Sequence, residues 1–84
     1  MPPAERRAWR DAQRAAGDLW MRAAALAAKL QGLSANGESR RLATEVRDPL
    51  RGLYGDIDDY IGRPTADQMS ELAYYRSVVE RLER

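Results

Sequence analysis

The most constraining feature of this sequence is a row of apolar residues that runs from Trp9 to Leu33. The residues recur at alternating intervals of three and four, which is the heptad spacing of one face of a long α-helix. The row consists of Trp9, Ala12, Ala16, Leu19, Ala23, Leu26, Leu30 and Leu33. Pro2 and Pro3 suit the first turn of such a helix. We therefore predict a first helix over about residues 4–33, with Trp20 and Ala27 widening its apolar face.

The apolar composition favours helices over strands. Of the 84 residues, 14 are Ala and 9 are Leu, whereas Val, Ile and Thr together number only seven. Ala and Leu are strong helix formers, and β-branched residues prefer strands. A chain of this length has room for one core only. We predict a single all-α domain over residues 1–84.

A second apolar row predicts a second helix over about residues 38–61. Before it, Gly32 and residues 34–37 (Ser-Ala-Asn-Gly) are typical of a helix end followed by a short turn. A short connection places the two helices side by side and antiparallel. The residues of the second row are Leu42, Val46, Leu50, Leu53, Ile57 and Ile61.

Pro49 lies inside this second row. Because proline lacks an N–H and clashes with the carbonyl four residues earlier, it costs ~3 kcal/mol in a straight helix interior. Asp48 followed by Pro49 also resembles an N-cap with a first-turn proline. We predict a kink or a break near residues 47–49.

The second loop carries the clearest local signals. Gly62 can follow the helix end, Pro64 prevents helix continuation, and Thr65 with Gln68 matches a capping box. A third helix is predicted over residues 66–83. Its apolar face is predicted to comprise Met69, Leu72, Ala73, Tyr75 or Arg76, Val79 and Leu82.

Three helices joined by short loops predict an up-down-up three-helix bundle in which the first helix is the longest. One end of that helix should therefore extend past its neighbours or meet something outside the chain. Gly52 and Gly55 are expected to let the second helix approach the Ala-rich face of the first helix closely.

Most catalytic and metal-binding chemistry is excluded by composition. The chain has no Cys and no His, which removes disulfides, His or Cys metal sites and imidazole catalysis. A calcium-binding loop was considered for the acidic group Asp56, Asp58, Asp59 and Asp67. The match is poor, because Tyr60 occupies a position that needs an oxygen ligand and Ile61 occupies the position that needs glycine. These carboxylates are expected to form a solvated face. We predict no catalytic residue, no metal, no cofactor and no enzymatic activity.

Charge is nearly balanced overall but unevenly distributed. The net charge is +1, with about +3 on residues 1–33 and −3 on residues 53–68. Arg6, Arg7, Arg10 and Arg14 surround Trp9, so an alternative function is nucleic-acid binding through the first helix. Acidic residues are interspersed among these arginines, which makes nucleic-acid binding the weaker interpretation. A membrane span is not predicted, because no apolar stretch approaches the required length. Thirteen of the 14 basic residues are Arg, which together with the abundant Ala indicates a GC-rich bacterial genome.

The leading interpretation is an interaction or structural module that binds a protein partner or a second copy of itself. Tyr74 and Tyr75 are adjacent, so one should lie in the core and the other at the surface. The interaction candidates are Trp9, Ala16, Trp20, Tyr54, Tyr74 and Tyr75.

The segment 50–55 (Leu-Arg-Gly-Leu-Tyr-Gly), with residues 62–68 (Gly-Arg-Pro-Thr-Ala-Asp-Gln) and Leu72, resembles the C-terminal helical region of bacterial sortilin-like BNR-repeat proteins. The resemblance covers residues 42–84. It implies a helical appendage of a larger secreted protein, with a docking role and an extracytoplasmic location; without it, a cytoplasmic location is expected. Because this chain has no Asp-box repeat, the family's presumed hydrolase activity transfers to none of its residues.

Overall fold

The computed structural model describes residues 2–31 and 37–84, and these residues form three α-helices without any strand. The helices are α1 (Pro3–Gln31), α2 (Gly37–Asp59) and α3 (Ala66–Glu83). All three pack against one another, which confirms the predicted all-α three-helix bundle. The predicted end of the first helix at Leu33, with Gly32 and residues 34–36 of the turn, lies outside the described residues.

Two contacts define how the helices run. The indole Nε1 of Trp9 donates a hydrogen bond to the carbonyl of Ile57 at 2.7 Å, so the start of α1 lies beside the end of α2. The last turn of α3 reaches α1 at Arg22, whose guanidinium donates two hydrogen bonds to the Glu83 carboxylate. Helix α2 is therefore antiparallel to α1, and α3 runs parallel to α1, as the up-down-up prediction requires.

The helices differ in length, and the difference appears at one end of the bundle. Helix α1 has 29 residues and α3 has 18, which correspond to about 44 Å and 27 Å at the standard rise. Because α3 ends beside Arg22, the last turns of α1 pack against α2 without a third helix. The bundle is a rod of 50 × 17 × 16 Å.

The core is narrow because small residues line the contact between α1 and α2. The fully buried side chains with the largest volumes are Leu19, Leu50 and Val79, one from each helix. Ala side chains between them allow the helix axes to approach closely. No buried polar or charged residue occurs in the described chain. The predicted apolar row of α1 is confirmed by burial of Ala12, Ala16, Leu19 and Ala23. Towards the end of α1 the buried residue is Ala27, whereas Leu26 and Leu30 of the predicted row are only half-buried.

Helix α2 corrects three sequence-based expectations. It continues through Pro49 without interruption, so the alternative of a break at residues 47–49 is wrong, and Asp48 does not start a new helix. Pro49 lies on the exposed side of α2, where water can reach the carbonyl that loses its bond. Gly37 is the first residue of α2 and not part of the turn. The helix ends at Asp59, so Ile61 lies beyond it and is exposed.

Helix α3 begins as predicted. The Thr65 hydroxyl accepts a hydrogen bond from the Gln68 amide at 3.0 Å, and the Gln68 side chain accepts one from the Thr65 amide at 2.9 Å. This reciprocal pair confirms the capping box. Pro64 precedes it as expected. Gly62 does not directly follow α2; it stands beside Tyr60, whose ring would lie 3.3 Å from a Cβ at that position.

The apolar face of α3 differs from the predicted one. Met69 and Ala73 are exposed, and Val78 is buried although it was not part of the predicted face. Apolar side chains are spread around much of this helix, so their spacing alone does not select one side. The buried residues are Leu72, Tyr75, Val78 and Val79.

Candidate binding groove

An open groove of about 510 Å³ lies on α1 where Tyr54 of α2 meets it. The rings of Trp20 and Tyr54 are stacked, with centroids 6.2 Å apart and planes 13° from parallel, and they form its apolar floor. Met21 also lines the groove, and its side chain is 66% exposed. The groove lining comprises Arg10, Gln13, Arg14, Gly17, Asp18, Trp20, Met21 and Tyr54.

Gly17 allows Tyr54 to lie directly against α1. A Cβ at Gly17 would stand 3.1 Å from Tyr54 Cε2, which is closer than ordinary van der Waals contact. The expected close approach at Gly52 and Gly55 is wrong, since a Cβ at either position would meet nothing within 4 Å. The intimate helix contact therefore depends on a glycine of α1, which the sequence patterns did not single out.

Four arginines form a stripe on α1 that leads into this groove. Arg6, Arg7, Arg10 and Arg14 fall within an arc of about 100° on the helix, roughly opposite its buried Ala face. Their side chains are exposed, and Arg10 and Arg14 line the groove itself. We call these four residues the arginine stripe.

None of the arginines in the stripe forms an ion pair with another described residue. The ion pairs in residues 2–31 and 37–84 are Arg22–Glu83, Arg41–Glu45 and Arg47–Asp48. Arginines usually satisfy several of their five N–H donors with carboxylates, phosphates or water. The stripe therefore presents guanidinium groups that remain available to an external anion.

Acidic groups border the groove and limit its positive charge. Asp18 lies in its lining, and Asp58 accepts a hydrogen bond from Gln13 across the α1–α2 contact. Asp56 and Asp59 are exposed near the same end of α2. The positive surface is consequently a short strip between acidic neighbours and does not extend over a whole face.

The predicted interaction residues occupy three different environments. Ala16 is fully buried and Tyr75 belongs to the core, so both pack within the chain. Trp9 is half-buried and anchors α1 to α2 through its hydrogen bond to Ile57. Trp20 and Tyr54 meet in the groove. Tyr74 is 62% exposed on α3, in edge contact with Tyr75, which confirms that one of the two tyrosines is core and the other surface.

A second groove, of about 460 Å³, lies beside the end of α3. Leu26, Leu30 and Leu82 form its apolar part. The hydrogen bonds from Arg22 hold the pKa of Glu83 below its usual value and raise the pKa of Arg22. This pair closes one side of the groove, and Lys29 and Arg84 contribute further positive charge. We call this region the α3-end groove.

Among the described residues, the local environment shifts the pKa of Arg22, Tyr75 and Glu83. Burial and a hydrogen bond to Glu71 at 2.6 Å raise the pKa of Tyr75 to about 12, far from the range useful for proton transfer. Within residues 2–31 and 37–84, no group of three or more acidic side chains is arranged to hold a metal ion. None of the described helices has the length and apolar character needed to cross a membrane.

No protein-family model, curated protein or solved structure matches this chain.

Proposed function

We propose that this chain is a non-enzymatic interaction module that binds an acidic segment of a partner protein in the groove between Trp20, Tyr54 and the arginine stripe. The observation that carries the proposal is the stripe itself: four exposed arginines without ion-pair partners in the described chain lead directly onto an aromatic floor. Surface arginines with this arrangement are suited to carboxylate recognition.

The groove has a charged end and an apolar end. Arg10 and Arg14 lie one helical turn apart, a separation that adjacent acidic side chains of a peptide can match. From Arg10 to Trp20 the helix rises about 15 Å, which an extended peptide covers in roughly five residues. The preferred ligand is therefore a short segment with acidic residues followed by one or two large apolar residues.

Charge distribution favours a protein ligand over a nucleic acid. The chain has a net charge of only +1, and Asp11, Asp18 and Asp58 border the stripe. A long polyanion would have to pass these carboxylates, whereas a short acidic peptide can stop before them. The inner face of Trp20 is also covered by Tyr54, which leaves less ring surface for base stacking.

The resemblance to the helical region of sortilin-like BNR-repeat proteins stays a prediction about biological context. It is compatible with a docking role for residues 42–84, and it implies an extracytoplasmic location. Tyr54 is the residue that belongs both to the resembling segment and to the groove.

The test is fluorescence anisotropy with a labelled peptide that has a run of Glu at one end and Leu at the other. We expect the double variant Arg10→Ala/Arg14→Ala to weaken binding by about tenfold or more, because two charge-assisted contacts are lost. The matched control is Arg51→Ala/Arg76→Ala, which removes the same charge from exposed sites on α2 and α3. Met21→Ser should weaken binding of this peptide and leave binding of an all-Glu peptide unchanged.

A labelled oligothymidine strand provides the competing measurement. If the strand binds with a steep salt dependence while the acidic peptide does not bind, nucleic acid replaces the protein ligand in this groove. Equal loss of peptide binding in both double variants would show that net charge, and not the groove, attracts the peptide.

A further inference from the structure

We propose that a second copy of this chain docks on the α3-end groove through the exposed turn that follows α2. The turn carries two large apolar side chains, Tyr60 and Ile61, which are 76% and 61% exposed. Soluble chains seldom leave adjacent apolar side chains so open unless another surface covers them. This contact is separate from the arginine–aromatic groove of the proposed function.

The receiving surface exists because α3 is shorter than α1. Beyond the level of Arg22, α1 packs on α2 without support from α3, and the half-buried side chains of Leu26, Leu30 and Leu82 remain accessible. The groove they line measures about 460 Å³, which is ample for side chains of the size of Tyr and Ile.

Charge complementarity identifies the occupant as another copy of the chain. The α3-end groove carries Lys29 and Arg84 in addition to the internally paired Arg22. The turn is preceded by exposed carboxylates at Asp56 and Asp59, which have no ion-pair partner in the described residues. The exposed Arg63 offsets one of these charges, and residues 53–68 keep a net charge of −3. Opposite charges therefore surround the apolar group on the turn and the apolar groove that would receive it.

The two surfaces lie towards opposite ends of the rod, as a pair of antiparallel copies that forms both contacts requires. The turn lies near the Trp9–Ile57 end, and the groove lies some 20 residues further along α1, about 30 Å away. Closed two-fold dimers are the commonest homo-oligomers.

A charge-swap experiment tests this contact directly. Variant one is Lys29→Glu/Arg84→Glu, which makes the groove acidic, and variant two is Asp56→Lys/Asp59→Lys, which makes the turn basic. In each variant alone the two contact surfaces then carry like charges. In an equimolar mixture, every groove again meets a turn of opposite charge. Circular dichroism and thermal unfolding check that both variants fold.

Analytical ultracentrifugation supplies the readout. We expect the unmodified chain to dimerise in the micromolar to millimolar range, each variant to dimerise at least tenfold more weakly, and the mixture to recover association. The apolar variant Ile61→Ser should also weaken dimerisation. The proposal would be overturned if the unmodified chain stayed monomeric at millimolar concentration. It would also be overturned if each variant associated as strongly alone as in the mixture.

Discussion

The ring of Tyr54 lies against the backbone of Gly17, where a Cβ would stand only 3.1 Å from the ring edge. Glycine at this position lets the ring rest on α1 and stack beside Trp20. The floor of the binding groove therefore depends on glycine at position 17 as much as on the two aromatic rings.

Replacing Gly17 with Ala should alter the groove more than the fold. Alanine favours the helix by about 0.5–1 kcal/mol over glycine, but its Cβ must displace Tyr54. We expect little net change in the free energy of unfolding together with a shift in Trp20 fluorescence, measured in a Trp9→Phe background. The fluorescence of Trp20 should stay unchanged only if the ring can move aside without losing its stacking.

Gly52→Ala is the matched control for that substitution. Gly52 is an exposed residue inside α2, and a Cβ there meets no atom within 4 Å. The full helix-propensity gain of about 0.5–1 kcal/mol should therefore appear, raising the melting temperature by about 2–8 °C. Thermal unfolding followed by circular dichroism measures it. A destabilised variant would mean that α2 does not have this exposed helical geometry.

Removing the capping hydroxyl should loosen the start of α3. In Thr65→Ala, the Gln68 amide loses its hydrogen-bond acceptor, with an expected cost of about 1 kcal/mol. Thr65→Ser keeps the acceptor and should stay within a few tenths of a kcal/mol of the unmodified chain. Urea denaturation of the unmodified chain and the two variants measures the free energy of unfolding. Equal losses in Thr65→Ala and Thr65→Ser would show that the methyl group of Thr65, and not its capping hydroxyl, provides the stability.

Tyr75 should make the fold sensitive to alkaline pH. Its pKa is raised to about 12 in the folded chain, whereas an unfolded tyrosine titrates near pH 10. The neutral hydroxyl therefore stabilises the fold fully below about pH 10, and this contribution is lost as the pH rises towards 12. The melting temperature of Tyr75→Phe should therefore fall less steeply over that pH range than the melting temperature of the unmodified chain. Parallel pH profiles would contradict the assignment to Tyr75.

The Arg22–Glu83 pair should act in the opposite pH range. Hydrogen bonds from Arg22 lower the pKa of Glu83 in the folded state, so the pair stabilises the fold above the ordinary Glu range, near pH 4. The contribution is lost as the pH falls through the lowered pKa. The melting difference between the unmodified chain and Glu83→Gln should be small, because the site is solvated, and should disappear in acid. A difference that persists at low pH would indicate a packing effect.

The architecture could be predicted from sequence because each helix carries redundant signals. The Ala-rich row of α1 repeats across more than four turns, and Thr65 with Gln68 specifies the start of α3 through adjacent chain positions alone. Signals of this kind are local or periodic, so they survive without knowledge of the partner helix.

The groove could not be predicted because it depends on the rotation of two helices about their axes. Gly17 is informative only when Tyr54 is known to lie opposite it, and nothing in the spacing of either residue reveals that pairing. Met69 was assigned to the apolar face from its spacing, but it lies in the first turn of α3, where it is exposed. A kink or a break was expected at Pro49, and the break is absent because this proline lies on the solvent side of a continuous helix.

The short reach of α3 also divides the rod into regions of unequal local stability. Around Ala16 and Leu19, backbone amides of α1 lie in a three-helix core, whereas those near Ala27 are protected by one neighbouring helix beyond the end of α3. Hydrogen exchange should therefore begin at the two-helix end and proceed towards the Trp9 end as separate steps with increasing opening free energies. Any partner that covers the α3-end groove would slow exchange first at the amides around Ala27, which makes this segment a sensitive reporter of docking.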